Sequence, residues 1–233
     1  VIIARILWLC ALLLPEAAIG QMITPMVYDL APSGKQATRV LEFRNVQAKS
    51  LAVEVEATRR SYDQDGKPID SIAGGAIDIM PMQFVVAPGV MQKVRVRYKG
   101  SESLTSSISF AVAFREVPLQ QSPAAPQVRT LFDVRTLAHV VPSGAATDLR
   151  IQSIEYTGTV ALITFANAGT RYGRLDGAPL RLSSGSQTVD FSPGELRDRL
   201  DLRWIDPGGR RIASIPFKRQ AAGPITAEWL RGN

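Results

Sequence analysis

One histidine, His139, is the only side chain of its type in the chain, and its ordinary pKa lies close enough to neutrality to serve as a general acid or base. It lies in an apolar run from Leu137 to Val141, which reads as a packed or edge position. The single cysteine, Cys10, sits in another apolar run, so no Cys/His cluster with zinc spacing exists. Asp63, Asp65 and Asp70 are close in sequence. Asp63-Gln64-Asp65-Gly66-Lys67-Pro68 nevertheless reads as a solvated hairpin turn and lacks the ligand spacing of a calcium loop. There is no glycine loop for phosphates and no nucleophile elbow. The sequence therefore assigns no catalytic residue, no metal ligand and no cofactor, and an enzyme is not expected.

The remaining charged patterns suggest binding rather than reaction. Lys93, Arg95, Arg97 and Lys99 alternate with Val94, Val96 and Tyr98, the pattern of a strand with one solvated face. No aromatic residues interleave on that basic face, so nucleic acid is not an expected partner. The net charge of +6 suits an acidic partner or an anionic surface without identifying one.

Residues 1–20 read as a secretory signal peptide. Arg5 precedes the apolar run Ile6 to Pro15, and small residues Ala17-Ala18-Ile19-Gly20 close it. That run is short for a bilayer span. Cleavage near Gln21 would remove Cys10, leaving an exported chain without disulfides that rests on its core alone. The chain is 45% hydrophobic, enough for that core.

Beyond Gln21 the chain reads as short strands between turn signals, with little helical periodicity. Seven strand-like runs lead up to Phe114, including Ile23 to Leu30, Thr38 to Asn45, Leu51 to Thr58 and Met91 to Tyr98. Phe110 to Pro118 stands out because apolar residues alternate with small ones and the run ends in a charged pair and a proline. Val128 to Val141 is apolar on both faces for much of its length, and such a strand needs a partner on each side. A second set runs from Leu149 to Leu230, with turns at Asn167-Ala168-Gly169, Ser192-Pro193-Gly194 and Asp206-Pro207-Gly208-Gly209. Small residues at Pro142-Ser143-Gly144 mark a boundary. The expected fold is all-β, with one immunoglobulin-like sandwich over 21–142 and a second β-sandwich over 143–233. The halves share a rhythm but no motif that proves duplication.

Phe114-Arg115-Glu116-Val117-Pro118 resembles the Arg-Glu-(Ile/Val)-Pro signature of the PapD-like periplasmic pilus chaperones. Phe43-Arg44-Asn45, the Ala87-Pro88-Gly89 turn before a Val-Arg-Val-Arg strand, Pro142 at the junction and Asn167-Ala168-Gly169 agree with that family in order. The likeness covers the mature chain and is better in 22–142 than after 148.

The resemblance implies two immunoglobulin-like domains in a boomerang arrangement, located in the periplasm. It implies a chaperone that captures pilus or fimbrial subunits with incomplete sandwiches by donor-strand complementation, then delivers them to an outer-membrane usher. No cofactor is implied. On the last strand of domain one, Val128, Thr130, Phe132 and Val134 share one face and are expected to plug the subunit groove. Leu131, on the other face, competes if a bulge shifts register. The exposed strand could also cap a second copy, giving a homo-oligomer.

The sequence departs from the family at the subunit-carboxylate anchor. Pro25 stands where a first-strand Arg is expected, and Leu137 falls near the late Lys position. Arg135, two residues before Leu137, is the candidate anchor. Arg115 and Glu116 are expected to form a structural charge pair near the domain interface. A second reading is an exported structural or adhesive two-domain protein whose apolar strand is simply buried.

Overall fold

The computed structural model describes residues 21–118, 131–200, 203–219 and 223–230. The expected leader, 1–20, lies outside them. The fold is all-β, with two separate apolar cores.

Domain 1 is built from β1 (Met22–Thr24), β2 (Val27–Leu30), β3 (Thr38–Arg44), β4 (Leu51–Tyr62), β5 (Pro68–Ile72), β6 (Ile77–Met80), β7 (Gln83–Val86), β8 (Met91–Tyr98), β9 (Ile108–Val117) and β10 (Asp133–Val140). Two sheets face each other. One has the order β1-β3-β8-β6, and the other β2-β10-β9-β4-β5 with β7 also on β4. The first extended stretch divides at Pro25. β1 pairs with β3 in one sheet, and β2 runs parallel to β10 in the other. A residue without an N–H fits where the chain leaves one ladder for the next.

Alternation sets the core. Leu41 and Phe43 of β3, Val53 and Val55 of β4, and Val94 and Val96 of β8 are buried, because successive side chains point to opposite faces. Phe43 is the centre. Its ring lies 5.9 Å from Phe114, 5.6 Å from Phe84 and 5.8 Å from Phe132. β9 is buried on both faces, as its composition requires. Phe110, Val112 and Phe114 enter the core, while Ser109, Ala111 and Ala113 occupy the opposite face.

Domain 2 comprises β11 (Leu149–Thr157), β12 (Val160–Asn167), β13 (Gly173–Arg174), β14 (Leu180–Ser184), β15 (Gln187–Phe191), α1 (Pro193–Arg199), β16 (Trp204–Ile205), β17 (Arg210–Pro216) and β18 (Thr226–Trp229). Its sheets run β11-β12-β17, β15-β14-β18 and β13-β16. The turn expected at Ser192-Pro193-Gly194 is instead the start of α1. Ser192 accepts from the Glu195 N–H, and the Glu195 carboxylate accepts from the Ser192 N–H. This capping box, with Pro193 in the first turn, starts a helix.

The structure also supplies the shared motif that the sequence hides. The Asn45 side chain accepts from the N–H of Gln47 and donates to the carbonyls of Lys49 and Val86. The Asn167 side chain accepts from the N–H of Gly169 and donates to the carbonyls of Arg171 and Ile205. The main chain of each asparagine is held by a Pro-Gly turn, Gly89-Val90 in one domain and Gly208-Gly209 in the other. Gly89 and Gly208 have φ of 74° and 72°, a region open to glycine. Each buried amide thus fastens the same corner of its sandwich.

Candidate functional site

The candidate site is an open strand edge. β10 is antiparallel to β9 from Asp133 to Val140. The Glu116 N–H donates to the Phe132 carbonyl at 3.1 Å, which sets the phase of the ladder. In an antiparallel ladder, bonded and non-bonded pairs alternate. The main-chain groups of Phe132, Val134 and Thr136 therefore turn toward β9, and those of Asp133, Arg135 and Leu137 turn away. β2 takes up the second set from Leu137 onward, beginning with the Leu137 N–H on the Met26 carbonyl at 2.8 Å. No strand among the described residues pairs with Asp133–Thr136 on that edge. The main-chain groups of Asp133 and Arg135 are therefore presented outward, in line with the end of β2.

Two apolar side chains border this edge on the inner face. Phe132 and Val134 are half-buried and pack against the domain 1 core. Leu131 is exposed. Val128 and Thr130 lie outside the described residues. The structure places Phe132 and Val134 on one face, at the rim of an existing core.

The opposite face carries a chain of alternating charges. Arg60 pairs with Asp70 at 2.6 Å, and Asp70 with Arg135 at 3.0 Å. Arg135 also holds Asp133 at 3.0 Å; Asp133 contacts Arg115 at 3.2 Å, and Arg115 reaches Glu56. Arg135 keeps Asp133 below the usual carboxylate range, and Arg60 does the same for Asp70. Arg135 is therefore bound to two carboxylates of its own domain. At the other expected anchor positions, Leu137 is buried and Pro25 is the strand switch.

Arg115 and Glu116 do not form the expected pair. Adjacent strand residues point to opposite faces. Arg115 joins the charge chain, while Glu116 is buried and accepts from Lys49 at 3.4 Å. They stand at the end of β9 away from domain 2, which meets the other end through Ser107 and Ser109.

The domain contact is built around His139. Its ring stacks on Tyr172 at 3.7 Å and tilts against Trp204 at 4.9 Å, both from domain 2. Its Nδ1 shares a 2.8 Å hydrogen bond with the Ser109 hydroxyl, and its buried Nε2 has no hydrogen-bond partner among the described residues. Burial lowers its pKa from 6.5 to about 3, and Arg171 and Arg174 add to the effect. Asp29 accepts from Arg171 at 2.6 Å and from the Tyr172 hydroxyl at 2.9 Å. A second contact comes from the β4–β5 hairpin, where the Gln64 carbonyl accepts from the Ile212 N–H at 2.8 Å. The sequence offered no sign of this hub, because its partners lie in the other half of the chain.

Ser109, His139 and Asp206 meet here, but not in the order of a nucleophilic triad. Asp206 is 3.5 Å from the Ser109 hydroxyl, and no carboxylate among the described residues orients the imidazole. Among the described residues, no group of His, Cys, Asp and Glu is arranged to hold a metal ion.

No protein-family model matches this sequence, and no curated protein matches it. Solved structures do. The fold is that of the PapD-like chaperones. The class 5 fimbriae chaperone CfaA aligns over 92% of this chain and 93% of its own, with a TM-score of 0.58 and 11% identity. In the CsuC–CsuE chaperone–tip adhesion subunit pre-assembly complex of Acinetobacter baumannii, a chain aligns over 84% of this protein and 91% of its own, with a TM-score of 0.57 and 11% identity. The E. coli chaperone DraB aligns over 88% and 89%, with a TM-score of 0.54 and 15% identity. At such identities the likeness is one of architecture.

Proposed function

We propose that this protein is a periplasmic chaperone that holds pilus or fimbrial subunits by adding a strand to their incomplete sandwiches. The observation that carries this reading is the open edge at Asp133–Thr136, bordered by the half-buried Phe132 and Val134. An extended client segment would take the outward main-chain groups of Asp133 and Arg135 into its own ladder. Phe132 and Val134, already at the rim of the domain 1 core, would become shared between the two cores. Such pairing needs no cofactor. The same reading has residues 1–20 direct export and the loaded complex pass to an outer-membrane usher. It also has the free edge cap a second copy when no client is present.

The test separates main chain from side chain at one position. Arg135→Pro removes an N–H that faces the open edge and spares the bonds to β9, since Arg135 turns away from that strand. Arg135→Ala removes the same charge and keeps the N–H. Co-expression with a subunit that lacks its last strand should give a stable complex for the wild type and for Arg135→Ala. Arg135→Pro should weaken capture by roughly tenfold or more, the loss of a main-chain hydrogen bond plus the clash of the ring. Equal capture by both variants, with unchanged melting temperatures, would remove the reading.

A further inference from the structure

Domain 2 contains a cavity that strand donation does not use. It has a volume of about 480 Å³ and is lined by Thr147, Leu149, Arg171, Tyr172, Arg174 and Trp229, with Gly177 and Ala178 at its wall. The volume is in the range of small-molecule sites. Its lining has a consistent chemistry. Two aromatic side chains and Leu149 supply apolar surface, two guanidiniums supply donors, and no carboxylate is among the described lining residues.

The charge beside the cavity is also unbalanced. Arg174 grips the buried Asp176 with two hydrogen bonds, at 3.1 and 2.9 Å. Arg197 and Arg203 approach the same carboxylate at 3.3 and 3.4 Å. One negative charge therefore stands against three positive ones among the described residues of this cluster. The Arg174 guanidinium also lies 5.1 Å above the Trp204 ring, which fixes its plane. Arg171, on the other rim, is steadied by Asp29 and by its own approach to the Tyr172 ring at 5.3 Å. Trp229 packs against Phe165 at 5.4 Å, and its indole N–H is buried without an acceptor among the described residues.

We propose that this cavity binds a small organic anion, a carboxylate carried on an apolar or aromatic body. The carboxylate would take the guanidinium donors of Arg171 and Arg174 that Asp29 and Asp176 leave unused. The body would lie against Tyr172, Trp229 and Leu149. A guanidinium presents five N–H donors in a plane that matches a carboxylate, so two held in place make a selective rim. The residual positive charge around Asp176 draws an anion toward this wall. This site is independent of the β10 edge and does not rest on the chaperone reading.

The test uses 1-naphthoate, its neutral counterpart 1-naphthamide, and sulfate as probes of the full chain at low salt. Binding is read by calorimetry and by tryptophan fluorescence. The expected result is saturable binding of naphthoate, with naphthamide and sulfate each weaker by roughly tenfold or more. Ala178→Phe fills the cavity while keeping both arginines, and should abolish binding. Arg171→Gln and Arg174→Gln should each weaken it at least about fivefold. Circular dichroism establishes that each variant is folded, and any one folded variant suffices for the comparison. The proposal is overturned by equal binding of naphthoate and naphthamide, by sulfate binding as well as naphthoate, by unchanged binding in a folded variant, or by no saturable binding.

Discussion

Acidification from pH 6.5 to 4 is expected to cost the wild-type protein about 3 kcal/mol through His139 alone, and His139→Phe should be spared that loss. The imidazole is fully buried between Tyr172 and Trp204, and its Nε2 has no hydrogen-bond partner among the described residues. Protonation would place a cation with an unanswered donor in an aromatic stack beside Arg171 and Arg174. The pKa is depressed on folding, from 6.5 to about 3. The contribution is therefore complete above the unfolded value and is lost as pH falls, at about 1.4 kcal/mol per pH unit until the folded value is reached. Phenylalanine keeps a ring in the stack and carries no proton. Carboxylates such as Asp70 and Asp133 also weaken in acid, so the informative quantity is the difference between wild type and variant. Denaturant melts at half-unit steps from pH 7 to 3 give that difference. Parallel acid profiles for the two proteins would contradict the assignment.

Asp176→Asn should destabilise domain 2 by about 2–4 kcal/mol and leave domain 1 unchanged. Burial by itself would raise the Asp176 pKa, but hydrogen bonds from Arg174 and Arg197 and the charge of Arg203 outweigh it and hold the group below the usual carboxylate range. The carboxylate is the centre on which β13, α1 and the segment before β16 converge. An amide of the same shape leaves three guanidiniums facing one another. Their partial exposure lets water screen part of the repulsion, which keeps the cost below that of a fully sealed ion pair. Arg197→Gln, by contrast, should change stability by no more than about 0.5 kcal/mol, since two arginines remain. Because the folded pKa is depressed, the contribution of Asp176 is present above the unfolded value near 4 and is lost below it. Chemical denaturation followed by probes in each domain checks both variants.

Much of the architecture is legible in the sequence because alternation writes it directly. Val94 and Val96 against Lys93, Arg95 and Arg97 give β8, and Ala161, Ile163 and Phe165 give the buried face of β12. The two-sided burial of β9 follows from a run whose inner residues are large and whose outer residues are small. α1 is less visible, since Ser192-Pro193-Gly194 is equally good turn chemistry and only the reciprocal bonds of Glu195 decide. β5 is exposed along its whole length, so it carries no alternation to read. The strand face holding Phe132 and Val134 can be assigned from spacing, but the open edge beside it depends on where β2 stops pairing. Long-range partners are hidden altogether. Asp70, which occupies Arg135, and Tyr172 and Trp204, which enclose His139, lie far away along the chain. The charge pair expected at Arg115 and Glu116 failed for a local reason, since neighbours on a strand cannot face each other.

The central claim is that the outward main-chain groups of β10 receive a client strand. Amide hydrogen exchange, resolved at single residues in the presence and absence of a captured subunit, tests it most directly. The N–H groups of Asp133 and Arg135 should exchange readily in the free monomer and become protected in the complex. Those of Val134 and Thr136, turned toward β9, should change little. A stable complex in which Asp133 and Arg135 still exchange as fast as in the free monomer would contradict strand addition at this edge.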